Sequence, residues 1–194
     1  MRTALGRTVR TMATGSSPAY TALEPLRLSG TVAKGFGRGS KLLGIPTANL
    51  DADDLARQLK GHATGIYLGW AALRVSADAP GDAAPLPVYP AVASIGWNPF
   101  FKNKEKTVEP YLMHAFGRDF YGAGIRLVLC GYIRPEADFT SLEALVEQIH
   151  DDIDVTRRAL ELPRFAACRG DAYLQGAPAP TPVPVYCRLP TAST

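Results

Sequence analysis

The segment with the clearest chemistry spans residues 30–50 and reads GTVAKGFGRGSKLLGIPTANL. Glycine occupies alternate positions near its start, and basic residues flank these glycines. Such a run lets the backbone fold tightly and aim several N–H groups at one point, as the binding of phosphate oxygens requires, while the cations add charge-assisted contacts. On spacing alone, a phosphate-binding loop and a plain flexible turn both fit. The residues concerned are Lys34, Gly35, Gly37, Arg38, Gly39, Ser40 and Lys41.

This glycine-rich segment matches neither of the two common nucleotide-binding motifs. It lacks Gly-Lys-Ser/Thr at the Walker A spacing, and Ile45-Pro46 follows too soon for a helix that presents its N-terminus to phosphate. No βαβ unit surrounds it, as a dinucleotide-binding fingerprint would require.

Thr47 and Asn49 are two residues apart, so in an extended chain both side chains point to one face. Two neutral oxygens there could bind a hard cation such as Mg²⁺, which keeps waters and takes substrate phosphates as further ligands. The alternative is a pair of polar side chains that hydrogen-bond a local turn.

Composition excludes several classes of protein. The chain has 194 residues, 46% of them hydrophobic and 20% charged, which suits one domain with a real core. A net charge of +3 is too weak to indicate nucleic-acid binding, and no apolar run is long enough to span a membrane. Cys130, Cys168 and Cys187 are odd in number and lack metal-ligand spacing, so we expect reduced thiols rather than a disulfide scaffold or a zinc site.

Short apolar segments alternate with turn-rich ones along the body of the chain. Strands are predicted over residues 26–32, 64–73, 88–96, 107–116 and 125–133, and residues 76–87 are predicted to form a loop. One helix follows, with an apolar stripe of Leu142, Leu145, Ile149, Ile153 and Leu160. Strands followed by one helix, without βαβ alternation, predict an antiparallel barrel that a helix caps.

The ends of this helix carry their own signals. Thr140 and Glu143 have the spacing of a capping box, so the Thr140 hydroxyl is expected to accept from the Glu143 amide. Asp154 and Arg158 are expected to pair, and Leu162-Pro163 to end the helix.

The chain is predicted to consist of one domain between two tails. Residues 1–22 contain arginines, serines and threonines but no acid, which fits either a disordered extension or a mitochondrial targeting segment. Residues 23–165 form the domain, and residues 166–194 form a Pro-rich tail without a core of its own, or a strap over the domain.

Six sequence blocks occur in the order typical of riboflavin kinases of the monofunctional eukaryotic type. They are GFGRGSKLLGIPTANL, TGIYLGWA, SIGWNPFFKNKEKTVE, LMHAF, DFYG and GYIRPEADFTSLEAL, and the chain closely resembles this family over about residues 24–165. The resemblance implies a mainly β fold, a six-stranded antiparallel Greek-key barrel with a C-terminal α-helix. It also implies transfer of the ATP γ-phosphoryl group to the 5′-hydroxyl of riboflavin, giving FMN and ADP.

The resemblance assigns roles to individual residues. The glycine loop, from Gly35 to Lys41, would hold the ATP phosphates, and Thr47 with Asn49 would bind Mg²⁺ (or another divalent ion such as Zn²⁺). Glu109 matches the family's catalytic glutamate. The positions that match the flavin site are Leu112, His114, Tyr121 and Arg134.

The chemistry of the transfer makes Glu109 the candidate base. A primary alcohol needs a group that orients it and accepts its proton, and a carboxylate within hydrogen-bond reach does both. His114 is five residues further on, so in a regular strand the two side chains face opposite sides unless Pro110 marks a bend. His114 could equally be a histidine packed within the barrel.

Two other functions are alternatives to the kinase. FAD synthesis needs a further domain with an HxGH-type motif, and His62, His114 and His150 are not arranged that way. A barrel that binds single-stranded nucleic acid through Lys102–Lys106 is the non-enzymatic alternative. We expect a monomer that binds riboflavin, FMN, ATP and ADP but no nucleic acid or membrane, and that is cytoplasmic unless the N-terminus directs it to mitochondria.

Overall fold

Six strands and a long C-terminal helix form the part of the chain that the computed structural model describes, residues 19–34, 45–50, 55, 57–74, 85–97 and 106–179. The elements in chain order are β1 (Thr21–Ala33), β2 (Asn49–Leu50), β3 (Gly65–Arg74), β4 (Val88–Trp97), β5 (Lys106–Leu112), β6 (Gly124–Arg134), α1 (Leu142–Leu160), α2 (Pro163–Ala166) and 3₁₀ turns at Ala167–Gly170 and Ala172–Gln175.

The strands form a nearly closed antiparallel barrel. Their order is β2-β1-β6-β3-β4-β5, and every paired strand runs antiparallel to its neighbour. The Ala48 N–H donates to the Pro110 carbonyl at 2.9 Å and thereby joins the two outer strands of the sheet. The predicted fold class, a mainly β antiparallel barrel with a C-terminal helix, is confirmed.

The position of Pro110 in β5 follows from its missing N–H. In a strand, the N–H and C=O of one residue point to the same side. Because the Pro110 carbonyl accepts from Ala48, the missing donor also faces β2, and no bond to β4 is lost. The β4–β5 register runs unshifted from Ala91↔Leu112 to Trp97↔Lys106, so Pro110 marks no bulge.

The two central strands are buried on both faces, which explains their nearly continuous apolar sequences. In β3, Tyr67, Ala71 and Leu73 pack inside the barrel, whereas Leu68, Trp70 and Ala72 join a second cluster outside it. Gly69 lies at a register shift, where a Cβ would overlap the Val128 carbonyl of β6. Only glycine therefore permits this close approach of the two backbones.

The C-terminal segment, residues 163–177, covers the outer face of β3 and β6. Phe165, Tyr173 and Leu174 are buried there, and the Trp70 indole N–H donates to the Phe165 carbonyl at 2.8 Å. Arg27 forms an ion pair with Asp171 at 2.6 Å. Residues 166–177, for which the sequence left open a tail or a strap over the domain, therefore pack on the barrel as a strap would.

Two predicted interactions of α1, its N-cap and an ion pair, form with other residues than expected. The N-cap is Ser141, whose hydroxyl accepts from the Ala144 N–H at 3.2 Å, because the helix begins one residue later than the Thr140 capping box requires. Asp154 pairs with Arg157 at 2.6 Å, since i,i+3 neighbours are as close on a helix surface as the predicted i,i+4 pair. The helix ends at Leu160 and Pro163 begins α2, a position that proline favours.

The end of β5 and the buried stripe of α1 differ from the predictions. Strand β5 ends at Leu112 rather than at residue 116, because the chain turns at His114, whose N–H donates to the Leu112 carbonyl at 2.7 Å. Of the predicted apolar stripe, Ile153 and Leu160 are buried, whereas Leu142 is 56% exposed. Within the described ranges no helix is long and apolar enough to cross a membrane.

Candidate active site

The barrel closes where residues 47–50 meet β5, and this junction is called the seam. Thr47 and Asn49 face outward from it. They alternate with Ala48 and Leu50, whose side chains are buried in the barrel core. Asn49 pairs with Ala33 at the end of β1, and both polar side chains are half-buried. The seam therefore presents a hydroxyl and an amide oxygen side by side on its outer surface.

Glu109 lies on the other side of this seam and on the same outer face. Its neighbours Val108 and Pro110 are buried, whereas Glu109 is exposed and opposite Ser94 in β4. Because Ala48 and Pro110 hydrogen-bond with their side chains inward, the residues that flank each of them point outward. Neighbouring strands are about 4.8 Å apart, so the seam brings Glu109 to the same patch of surface as Thr47 and Asn49.

The described residues on either side of the glycine loop lie beside this patch. Its predicted phosphate-binding residues, Gly35, Gly37, Arg38, Gly39, Ser40 and Lys41, lie outside the described residues. The described residues that flank it are Lys34, directly after β1, and Ile45, two residues before Thr47.

His114 and Tyr121 lie at the end of the barrel where β5 terminates. The His114 ring stacks on Tyr89 at 4.7 Å between centroids and meets Phe116 edge-on at 4.8 Å. Tyr121 is 50% exposed in the turn that follows Phe120. This turn is fixed to β1, because the Gly122 N–H donates to the Val32 carbonyl and the Val32 N–H donates to Ala123. His114 thus shares an edge of the barrel with Tyr121, close to the start of the glycine-rich segment.

Leu112 and Arg134 have other surroundings. Leu112 is buried in the barrel core, opposite Ala91. Arg134 ends β6 at the opposite end of the barrel and makes a two-pronged ion pair with Asp152 of α1, with bonds of 2.7 Å from Nη2 and 3.0 Å from Nε. Asp152 is 3% exposed, so this pair fastens the helix to the barrel. Arg134 therefore lies at the opposite end of the barrel from His114 and Tyr121, so the structure does not place all four residues expected at the flavin site together.

A polar and aromatic group that includes Lys106, the last residue of the basic run, lies near Arg134. The Lys106 ammonium lies 5.0 Å from the ring centroid of Trp97, which is 48% exposed, and it donates to the His62 carbonyl. Burial, and then the charge of Lys106, lower the pKa of His62. The Glu136 carboxylate packs over Gly96. Residue spacing offers no signal for this group, since its members come from four separate segments.

The donors at the seam suit a hard divalent cation. Among the described residues no cluster of three or more histidine, cysteine or acidic side chains is arranged to hold a metal. The oxygens of Thr47 and Asn49 are instead two neutral hard donors, half-buried on one face. Such a pair leaves most of the coordination sphere to water and phosphate, which is the usual habit of Mg²⁺.

Comparisons with known proteins point to one family. The family model described as "Flavokinase: Riboflavin kinase" matches residues 22–160. The riboflavin kinase of Homo sapiens is 42% identical over 151 residues, which are 78% of this chain and 91% of the human protein. A crystal structure of riboflavin kinase from Trypanosoma brucei superimposes with a TM-score of 0.64 and 32% identity, covering 82% of this chain and 94% of that one.

A longer relative shares only this domain. The bifunctional riboflavin kinase/FMN phosphatase of Arabidopsis thaliana is 53% identical over 152 residues, which are 78% of this chain but 38% of that protein. The extent of the family match, the identities and the shared barrel together establish that the chain belongs to the riboflavin kinase family.

Proposed function

We propose that this chain transfers the γ-phosphoryl group of ATP to the 5′-hydroxyl of riboflavin, producing FMN and ADP. Family membership supports an ATP-dependent kinase that converts riboflavin to FMN. The observation that carries the assignment to this chain's own residues is the hydrogen bond between Ala48 and Pro110. It aligns β2 with β5, so that a metal-binding pair and a carboxylate share one outer face.

Glu109 acts in this proposal as the general base. Phosphoryl transfer needs positioning and neutralisation of charge more than covalent catalysis. The carboxylate orients the riboflavin hydroxyl and accepts its proton as the O–P bond forms. Its exposed position in a strand flanked by buried residues supports this role, because the backbone is held in place while the side chain reaches a substrate.

Thr47 and Asn49 hold the divalent ion, which we propose is Mg²⁺ rather than Zn²⁺. When bound, the ion neutralises charge on the triphosphate. Neutral hydroxyl and amide oxygens favour Mg²⁺, whereas Zn²⁺ is usually bound by thiolate, imidazole or carboxylate. Gly35, Gly37, Arg38, Gly39, Ser40 and Lys41 bind the ATP phosphates in this proposal.

The proposed flavin-binding residues remain Leu112, His114, Tyr121 and Arg134, with different contributions. His114 and Tyr121 carry accessible rings at one edge of the barrel. Leu112 and Arg134 maintain the shape of the flavin site, since Leu112 is in the core and the Arg134 guanidinium is paired with Asp152.

The direct test is an assay with purified chain, riboflavin, ATP and MgCl₂, in which FMN is separated by chromatography and ADP is measured in parallel. We expect equal amounts of FMN and ADP, and loss of both when a chelator removes the metal. Thr47→Val keeps the shape of the side chain but removes the hydroxyl, so it should raise the Mg²⁺ concentration needed for half-maximal rate about tenfold or more. Thr31→Val, at an exposed position in β1, is the matched control. FMN formation that persists in chelator would contradict the metal assignment.

We further propose that the enzyme works as a cytoplasmic monomer, without nucleic acid or membrane partners. Light scattering after size exclusion should give the mass of one chain. Melting temperature should rise with FMN or Mg-ADP but not with a single-stranded oligonucleotide. A fluorescent fusion of residues 1–22 would reveal whether they direct a protein to mitochondria instead.

A further inference from the structure

Two cysteines that the proposed mechanism does not use lie together on the covered face of the barrel. Cys130 belongs to β6 and is 1% exposed. Cys168 belongs to the 3₁₀ turn that packs against β6 and is partly exposed. Both are part of the apolar cluster that joins the barrel to the C-terminal segment, and both thiols are free.

The two thiols belong to one packed cluster but differ in accessibility. Cys168 packs against the apolar cluster that contains Cys130. The Cys130 Sγ lies 3.9 Å from the Leu68 carbonyl, and the Cys168 Sγ lies 3.6 Å from the Arg164 carbonyl. Burial raises the pKa of Cys130 strongly and its Cys168 neighbour raises it further, while the positive charge of Arg164 opposes both effects. Cys130 is therefore protonated and shielded while both thiols are reduced and is expected to react second, whereas a small reagent can reach Cys168 from solvent.

We propose that Cys130 and Cys168 form a reversible intramolecular disulfide that fastens the C-terminal segment to β6. The oxidant is a small-molecule disulfide such as oxidised glutathione. The Cys168 thiolate attacks one of its sulfurs, forms a mixed disulfide and releases one thiol after protonation. Cys130 then loses its proton and attacks the Cys168 sulfur, which closes the protein disulfide and expels the second thiol. Two protein thiols are oxidised, and one small disulfide is reduced to two thiols.

The position of the pair gives this bond a structural consequence. Cys168 lies between Phe165 and Tyr173, the residues by which the C-terminal segment packs on the barrel. A link here would close a loop of about 40 residues and restrict the unfolded chain, raising Tm by about 5 °C or more. The proposal does not depend on the kinase assignment, because its readouts are covalent structure and melting temperature rather than FMN formation.

The experiment incubates the folded, full-length chain with oxidised glutathione, blocks remaining thiols with an alkylating agent and measures intact mass. We expect a species about 2 Da lighter before alkylation, with one cysteine left to alkylate and a peptide linking Cys130 to Cys168 after digestion. Dithiothreitol should restore the original mass and Tm. Cys187→Ser, which lies outside the described residues, is the matched control and should retain the disulfide.

Two cysteine variants test the disulfide independently, so the result does not depend on the folding of either one. Cys168→Ser changes a partly exposed side chain, so it should fold, lose the 2 Da shift and show no rise in Tm with oxidised glutathione. Cys130→Ala should instead accumulate the glutathione adduct at Cys168. A disulfide that includes Cys187, a wild-type protein that stops at the mixed disulfide, or a bond that forms only in denaturant would each overturn the proposal.

Discussion

Two regions of the barrel's outer surface differ in the polarity and burial of their side chains. In the middle of β3 and β6 the outward side chains are apolar and buried under α1 and the C-terminal segment, as Leu68, Trp70 and Val128 illustrate. At the β2–β5 seam the outward side chains are polar, and Thr47, Asn49 and Glu109 stay half-buried or exposed. The inner faces of both regions share one apolar core. We infer a division of roles between the two regions. The covered face stabilises the fold, and the seam carries the polar groups that act on substrates.

If this division is right, substitutions at the seam should change rates and leave stability intact, whereas substitutions on the covered face should do the reverse. The first test is Glu109→Gln, for which we expect a fall in kcat of about 10²–10⁴-fold with little change in substrate binding. Its Tm should match the wild type, because the side chain is exposed. Glu147→Gln, on the exposed side of α1, is the matched control. A kcat within about threefold of wild type would exclude the base role.

Phe165→Ala is the corresponding test of the covered face. Phe165 is 1% exposed, packs edge-on against Tyr20 and supplies the carbonyl that binds the Trp70 indole. We expect a loss of about 3–5 kcal/mol in the free energy of unfolding, measured by urea denaturation. Leu162→Ala, at a 42% exposed position nearby, should cost far less. A fall in kcat under conditions where the variant is fully folded would weaken the proposed division.

Asp152→Asn separates the structural and binding roles of Arg134. The change removes the charge that holds the Arg134 guanidinium and leaves that cation partly buried. We expect a loss of up to about 3 kcal/mol of stability. If Arg134 only holds the shape of the site, KM for riboflavin should change little at temperatures where the variant is folded. The exposed neighbouring change Asp151→Asn is the control, and a large rise in KM without destabilisation would point to direct flavin contact instead.

The Arg27–Asp171 pair should make the anchoring of the C-terminal segment depend on pH. Burial acts to raise the pKa of Asp171, but hydrogen bonds from Arg27 and the Tyr173 N–H, together with the Arg27 charge, lower it below its ordinary value of 3.8. The folded state therefore favours the carboxylate. This stabilisation is fully present above the unfolded pKa and is lost as pH falls through the lower folded pKa.

The smallest effect is therefore expected from Asp171→Asn, with a Tm a few degrees below wild type at pH 7. The gap should begin to close as the pH falls below about 4, where the carboxyl of the unfolded chain is protonated, and should close fully only below the lower pKa of the folded state. Asp138→Asn, at an exposed position, should show no such convergence. A gap that stays constant with pH would mean that Asp171 acts through packing rather than charge.

The amino-acid sequence by itself determined the fold class and the location of the chemistry along the chain. Apolar runs with turn signals are local features, so five strands and the main helix could be predicted, and the ordered motifs indicated the kinase family. Thr47 and Asn49 had to share a face because of the two-residue repeat of an extended chain. Cap and ion-pair partners within α1 were missed by one residue, since neighbouring positions offer nearly equal partners.

Tertiary structure alone decided which distant residues meet. β2 has two residues and too little pattern to be recognised, yet its register with β5 brings Glu109 to the face of Thr47 and Asn49. The pairing of Arg134 with Asp152 and the packing of Cys130 and Cys168 in one cluster likewise join segments remote in sequence. Such contacts depend on the register and closure of the whole barrel, which hydrophobic periodicity within one segment does not encode.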